Sequence, residues 1–458
     1  MSDRQLCARD LPISPEASAA VDAVEVLRPG FLTTVQDRGR MGYQQFGVPV
    51  SGAADEGSYR VANLLVGNPP GSAALEITAL GPQLRFQADG VVALTGAEVQ
   101  AELEGGSAPW YRSFQVRRGQ VLDVRNCTGG LRAYLAFAGG VQVPILLGSR
   151  STCLVARFGG LHGRALAAGD VLTLGSPGAS LSELSDREVS ERWRPRCVET
   201  VTVRVVLGPQ DDAFTEEGLR TFLESSYRVT QYTDRMGCRL DGPRIAHRGP
   251  ADLLSDWIPP GGVQVPGNGQ PIILLADRQT TGGYTKIATV IGPDIGLVAQ
   301  RRPGEWLRFQ VVSPTEAQQI AREVEAAFAS LPRAVSICDG WRVAAELGEV
   351  PGVKALRGAG GVTRSAAPLV DEAGRTIVRS PMWGVVLQVC VAAGGVVAEG
   401  TPLFVLQAMK MEVEVVAPRA GWIAAIQAGE GDTVAAGDPM GTIESSDGHS
   451  GTPDGGDT

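Results

Sequence analysis

The sequence predicts a mainly β protein: two β-rich halves, then a small β-sandwich near the C-terminus. Three observations carry this. Apolar runs are short, closely spaced and interrupted by glycine, of which the 458 residues hold 59. Residues 378–444 contain an internal duplication, with Pro381, Gly384 and Gly400 recurring 37 residues later as Pro418, Gly421 and Gly437. Helical periodicity is confined to two places.

In chain order, residues 1–23 read as a polar, flexible leader. The first half, 24–175, contains the strand-like runs Val91–Thr95, Val121–Val124 and Ala133–Phe137. Asp55 is placed to cap a helix in which Val61, Leu64 and Leu65 share a face, and Gly67 to close it. The charged, proline-containing stretch between Ser176 and Thr200 reads as a linker, and the second half, 201–312, opens on Val201–Val206. Ser313-Pro314-Thr315-Glu316 is a capping box with proline at the first helical position. It starts a helix over 313–331, about four turns long, with Ala317, Ile320, Val324 and Phe328 along one stripe. Residues 332–377 read as a linker to the sandwich, and 445–458 as a disordered polar tail.

Composition narrows the function. A net charge of -9 and a pI near 5.1 disfavour a nucleic-acid partner. Seven cysteines (7, 127, 153, 197, 238, 338 and 390) are scattered, with no C-x-x-C pair, so the expected setting is a reducing cytoplasm. No apolar run is long enough to cross a membrane, and none is expected. The three histidines (162, 247 and 449) are far apart, which argues against a histidine-ligated metal and against a histidine base; no metal is expected.

The duplication centres on Gln407-Ala408-Met409-Lys410-Met411-Glu412. Leu403–Leu406 and Val413–Val416 read as strands leading into and out of a hairpin tip, where the Lys410 amine is open to acylation. Small Ala408 and the pliable thioethers of Met409 and Met411 leave a low surface for a modifying enzyme. Ala408-Met409-Lys410-Met411 within this repeat resembles the biotinyl domain of biotin-dependent carboxylases. That implies covalent biotin on Lys410, attached by a biotin protein ligase. Trp383 stands where the family usually has proline.

Two glycine-bordered stretches of the first half carry polar groups suited to a site: Thr33–Tyr43, with Asp37, Arg38 and Arg40, and Gly47–Asp55, with Ser51 and Asp55 at a helix start. In the second half, Pro271–Ala276 runs into Asp277-Arg278-Gln279-Thr280-Thr281-Gly282-Gly283-Tyr284, with Lys286 beyond. With Leu147–Thr152, Arg235–Leu240 and Gln264–Pro266, these runs resemble subunit 2 of the allophanate hydrolase type. That family includes the carboxyltransferase half of urea carboxylase and the C-subunit of 5-oxoprolinase. Thr285 replaces a proline usual in that family.

The resemblance implies cyclophilin-like β-barrel subdomains. It also implies a carboxyltransferase and biotin carrier that moves a carboxyl group from carboxybiotin on Lys410 to urea or a small amide-like substrate. Arg278, Gln279, Thr280 and Thr281 are the expected donors to the biotin ureido oxygen. Tyr284 or Lys286 would hold or deprotonate substrate, and Asp37, Arg38 and Asp55 would form the opposite wall. No phosphate-cradling G-x-x-x-x-G-K-[ST] is present, so ATP and bicarbonate are expected to be handled by a separate biotin carboxylase subunit. A subunit 1 partner is implied as well. Two alternatives remain: the C-subunit of an ATP-dependent 5-oxoprolinase, and a non-enzymatic regulatory binding protein. Neither gives Lys410 a role.

Overall fold

The computed structural model describes residues 23–194, 198–333, 335–337, 375–382, 384–408, 411–435 and 437–444. The first half is a ten-stranded sheet. Its main path runs Leu32–Gln36, Ala74–Thr78, Val121–Phe137, Gln83–Phe86, Ala23–Arg28, Val171–Leu174, Val141–Gln142, and Gly90–Leu103 pairs along Val121–Phe137. Valine, leucine and phenylalanine from alternate positions fill one side, including Leu75, Leu94, Leu135 and Phe137.

Val121–Phe137 is one strand of 17 residues rather than the two expected. Cys127-Thr128-Gly129-Gly130 has turn composition, but it is absorbed as bulges, with Cys127 opposite Val99 and Gly129 opposite Glu98. The other side of the sheet is covered by the helix Glu56–Leu65, capped by the Asp55 carboxylate on the Ser58 amide at 3.1 Å.

The expected linker after Ser176 is built into the fold. Leu181–Leu184 is a helical turn with its own capping box, Arg187–Glu188 pairs with Ser336–Ile337, and Leu184 and Val189 are buried against the first helix. Its charged composition hid two apolar anchors.

The second half closes into a barrel of seven strands in the order Thr200–Leu207, Lys286–Val290, Gly262–Gln264, Ile272–Leu274, Gly237–Asp241, Tyr227–Val229, Trp306–Val311. Closure is made by the parallel pairing of Thr200–Leu207 with Trp306–Val311. A two-stranded ribbon, Asp252–Trp257 with Thr281–Tyr284, stands apart from the barrel. The helix Pro314–Ser330 has both capping-box hydrogen bonds, and Phe328 packs against Trp193.

The C-terminal sandwich consists of two four-stranded sheets, and the duplication is written into its register. Gly384 pairs with Val434, and the same pairing shifted by 37 residues is Gly421 with Val397. Likewise Val385 with Gln407 becomes Trp422 with Glu444, and Leu406 with Val413 becomes Ile443 with Thr376. Each sheet therefore draws strands from both repeats. The quasi-twofold exchanges the strand pair Gln407 and Glu412 with the meeting point of the described domain's ends, Glu444 and Arg375. The sheet begins at Thr376, just inside the expected linker. Met382 and Val413 of this domain pack with Phe31 and Leu32 of the first half.

Candidate active site at the junction of the halves

The first sheet and the barrel meet across a buried polar seam. The strand Ala74–Thr78 is buried along its whole length, yet carries Glu76 at its centre, 1% exposed. A carboxylate there needs partners, because burying an unpaired charge is costly. One Glu76 oxygen accepts from Arg235 Nη1 and lies 3.8 Å from Arg132 Nε. The other accepts from the Ala54 amide at 2.8 Å and the Tyr134 hydroxyl at 2.8 Å. Arg235 then grips Asp277 through Nε at 2.8 Å and Nη2 at 3.1 Å, and donates to the Gly52 carbonyl at 2.7 Å.

Burial alone would raise the Glu76 pKa; Arg235 and Arg132 outweigh it and hold the carboxyl below its ordinary range. Burial likewise opposes the Arg235 charge, and Asp277 with Glu76 reverses that and raises its pKa. Tyr134 is pushed well above the usual tyrosine value by burial and by Glu76, so it stays a hydrogen-bond donor.

Gln300 is a second bolt: its oxygen accepts the amides of Leu131 at 3.2 Å and Arg132 at 3.0 Å, and its nitrogen donates to Asp55 at 2.8 Å. Gly130 makes room for it, since a Cβ there would stand 2.8 Å from the Gln300 oxygen.

This seam brings the two expected walls together. The Ser51 amide donates to the Ala276 carbonyl at 3.1 Å, directly before Asp277-Arg278. On the first wall, Asp37 is buried and spends both oxygens on its own surroundings: the Gly39 amide at 2.8 Å, the Ser149 hydroxyl at 2.7 Å, the Ser151 hydroxyl at 2.5 Å and the Arg150 amide at 2.6 Å. It organises the loop Ser149–Ser151. Asp55 is committed to helix capping and to Gln300. Arg38 is exposed and pairs with Glu56 at 3.3 Å.

Arg40 is fully buried over the Phe158 ring, donates to the Ser151 carbonyl, and leaves Nε and Nη1 without a partner. Burial lowers its pKa.

The second wall is better suited to a ligand. Arg278 is buried, donating Nε to the Ile258 carbonyl and Nη1 to the Leu275 carbonyl, both at 3.3 Å. Among the described residues no carboxylate pairs with it, and burial brings its pKa down to about 10. It is a cation in want of an anion.

Lys286 is buried with Nζ 2.9 Å from Asp256, whose carboxyl it holds below the usual range. Its register partner in the barrel is Gln264, also buried, with Nε2 unpartnered. Gln279 is exposed, the Thr280 carbonyl accepts from the Ile258 amide at 3.1 Å, and Thr281 pairs opposite Trp257. Tyr284 is half-exposed at the far end of the ribbon, opposite Asp252. Gly282 is the common point of this wall: Ile258, which accepts from Arg278, and Gln279 both approach it, and Asp256, the partner of Lys286, lies opposite it, whereas Arg38 and Asp55 are committed to contacts within the first wall and to Gln300.

Thr285, where a proline was the family's habit, is buried; its amide donates to the Ala251 carbonyl at 3.0 Å and its hydroxyl meets His247 Nε2 at 3.1 Å. A proline would lose both contacts. His247 therefore anchors the loop.

In the C-terminal sandwich, Pro402–Ala408 and Met411–Val416 pair with Ala408 opposite Met411. The connection between them is Met409 and Lys410, which lie outside the described residues, as does the side chain of Met411. Strands ending at a two-residue connection fit an attachment site for a covalently carried group. Among the described residues no cluster of His, Cys, Asp or Glu is arranged to hold a metal ion.

Residues 46–311 match the family described as carboxyltransferase domain, subdomain A and B. The chain belongs to this carboxyltransferase family. Residues 376–443 match a second family, described as biotin-requiring enzyme, so the carboxyltransferase carries a covalent-biotin domain on the same polypeptide.

The carboxyltransferase is 38% identical to the C-subunit of 5-oxoprolinase from Escherichia coli over 309 residues, 67% of this chain and 97% of that protein. It is 33% identical to urea amidolyase of Saccharomyces cerevisiae over 324 residues, 68% of this chain but 18% of that protein. Among solved structures it superimposes on the K. lactis urea amidolyase with TM-score 0.65 and 33% identity, covering 69% of this chain and 20% of that one. The C-terminal domain is 43% identical over 77 residues to a biotin carboxyl carrier protein of Streptococcus mutans, 17% of this chain and 59% of that protein.

Sequence reading did not assign roles in the carboxyltransferase site to Glu76, Arg235, Gln264 or Asp256. The one local signal was a charge inside an apolar strand, at Glu76. No helix among the described residues is long and apolar enough to cross a membrane.

Proposed function

We propose that this chain is the carboxyltransferase and biotin-carrier component of a multisubunit, urea carboxylase-like enzyme, with Lys410 as the attachment residue and urea or a small amide-like molecule as acceptor. The observation that carries the reading is the biotin-requiring domain that follows the carboxyltransferase on one polypeptide. Biotin, when bound, supplies an activated carboxyl group.

The chain's own residues supply the rest. Arg278, a buried cation without a carboxylate partner, binds and neutralises the carboxyl oxygens in a site from which water is largely removed. The Lys286–Asp256 ion pair orients the acceptor nitrogen. Asp37 fixes the Ser149–Ser151 loop of the first wall, and the Glu76–Arg235–Asp277 seam keeps the two walls in register.

A biotin carboxylase subunit supplies the carboxyl group at the expense of ATP and bicarbonate, a biotin protein ligase loads Lys410, and a subunit 1 partner completes the transferase, all in the cytoplasm. Exposed Leu254 (95%), Trp257 and Tyr284 on the ribbon support a partner that covers them. The match to the E. coli 5-oxoprolinase component uses 97% of that protein's length, so its 309 matched residues leave little length for a carrier domain. The second reading, a 5-oxoprolinase subunit, gives the carrier domain of this chain no role.

The test is co-expression with a biotin ligase and a biotin carboxylase, followed by bicarbonate-dependent ATP turnover against urea, related amides and 5-oxoproline. Turnover on urea or an amide, lost on removing Lys410, is expected; turnover on 5-oxoproline indifferent to Lys410 would reverse the ranking. Within this system, Arg278→Met should lower kcat/KM for carboxyl transfer by about 10²–10³-fold, the usual loss for one preorganised donor to a developing charge. Biotin loading should be unchanged. Arg278→Lys, which keeps the charge but not the fork, should fall between the two.

A further inference from the structure

Gln264 is a buried donor with nothing to donate to. It lies on the barrel strand Gly262–Gln264, is 2% exposed, and its Nε2 has no hydrogen-bond partner. Leaving an amide N–H buried and unpaired has a cost in stability that a folded chain normally avoids. The surroundings do not look accidental. Gly282 on the ribbon comes so close that a Cβ there would stand 2.8 Å from Gln264 Nε2 and 2.7 Å from Ile258 Cδ1.

The same glycine would meet Gln279 Nε2 at 3.5 Å, and Gln279 is exposed. Lys286, the register partner of Gln264, carries the ion pair to Asp256, and Asp256 is itself opposite Gly282. A buried amide therefore sits under a glycine, with a second, exposed amide lying across it and the Lys286–Asp256 ion pair alongside.

We infer that Gln264 Nε2 is the donor that recognises the acceptor's carbonyl oxygen, with Gln279 as a cover that the acceptor displaces and then shares. The ligand class is a planar amide carbonyl with a nucleophilic nitrogen, as in a urea or a lactam. The inference rests on the proposed carboxyl transfer and adds how its acceptor is read. A carbonyl held by Gln264 directs its nitrogen towards the Lys286–Asp256 pair, on the adjacent strand, while Arg278 attends to the carboxyl group.

The experiment uses the biotin-loaded chain in complex with its biotin carboxylase, comparing wild type with Gln264→Met. Methionine has a similar length and no polar hydrogen. Since Nε2 has no partner in the protein, the variant should melt at the wild-type temperature or above it, while kcat/KM for the amide acceptor falls about 10- to 100-fold, the range for one lost hydrogen bond to substrate. The more specific readout is the ratio of kcat/KM for urea to that for thiourea, or lactam to thiolactam. Sulfur is a weak acceptor, so the oxygen preference should collapse in Gln264→Met, which a merely structural role would not cause. Gln264→Glu, which keeps the shape and removes both N–H groups, should behave alike if methionine folds poorly. Unchanged kcat/KM, or an unchanged oxygen-to-sulfur preference in an impaired variant, overturns the inference while leaving the carboxyl-transfer reading intact. A wild-type complex that transfers nothing to any amide overturns both.

Discussion

Arg235→Met should unfold the chain at markedly lower denaturant, with a loss of about 3–5 kcal/mol, the usual penalty for removing one partner of a buried ion pair. The size follows from what the substitution strands. Arg235 serves two buried carboxylates at once, Glu76 on the first sheet and Asp277 on the barrel, and also the Gly52 carbonyl. Take it away and Asp277 loses both of its side-chain donors, while Glu76 keeps only Arg132 at 3.8 Å and its bonds from Ala54 and Tyr134. Equilibrium urea unfolding of the full chain measures this. Because the seam joins the two halves, the transition should also broaden or split, as each half then melts with less help from the other. A single transition shifted by less than about 1 kcal/mol, the worth of an exposed ion pair, would show that the seam is not what joins them.

The same network sets a pH dependence. The Glu76 carboxyl is held below its ordinary value of 4.5, so its contribution is fully present above that value and is lost as pH falls through the lower, folded one. Acid unfolding of Glu76→Gln should therefore be less steep below pH 4.5 than that of the wild type, on a lower baseline. In base the sign reverses: burial and Glu76 push Tyr134 well above its ordinary value of 10.0, so its contribution is present below that value and is lost as pH rises beyond it, where the tyrosine of the unfolded chain ionises first.

How much of this was legible in the sequence depends on how far apart the interacting residues lie. The helix caps at Asp55 and Ser313 are local, a side chain meeting an amide three residues on, and the sequence states them outright. The carrier domain is legible for a different reason: its long-range pairings are two copies of one set, so a 37-residue repeat in proline and glycine announces them. Glu76 and Arg235 have no such announcement. They are 159 positions apart, and each looks locally like an isolated charge beside apolar neighbours.

Asp37 misled in the other direction. Polar residues among glycines suggested a ligand-binding wall, but the carboxylate is consumed by two serine hydroxyls and two amides of its own fold. Chemistry-bearing composition identifies a site's neighbourhood; only the hydrogen-bond count separates a group that is already satisfied from one that is free to act. By that count Arg278 and Gln264 are the informative residues, and only the first stood out in the sequence.

Lys410→Arg should abolish biotin loading and with it all bicarbonate-dependent transfer, without measurable effect on folding. Intact-mass analysis and the coupled turnover assay read the two halves of that statement. The chemical ground is that arginine keeps the positive charge but offers no amine to acylate. The structural ground is the register. Ala408 lies opposite Met411, so strands on either side, not the connecting residues, fix the pairing, and of the next pair Leu406 is buried in the core while Val413 packs with Phe31, Leu32 and Met382.

Connections of two residues between antiparallel strands favour Asn-Gly or Asp-Gly, because both positions take positive φ. This chain has Met-Lys there instead. A sequence chosen for the turn alone would not be Met-Lys, so the pair answers to a requirement other than folding. Replacing Met409-Lys410 with Asn-Gly should accordingly give a domain at least as stable as the wild type and wholly unable to take up biotin. A double variant that unfolds would mean that the connection serves the fold, and one that still loads biotin would place the attachment residue at another position.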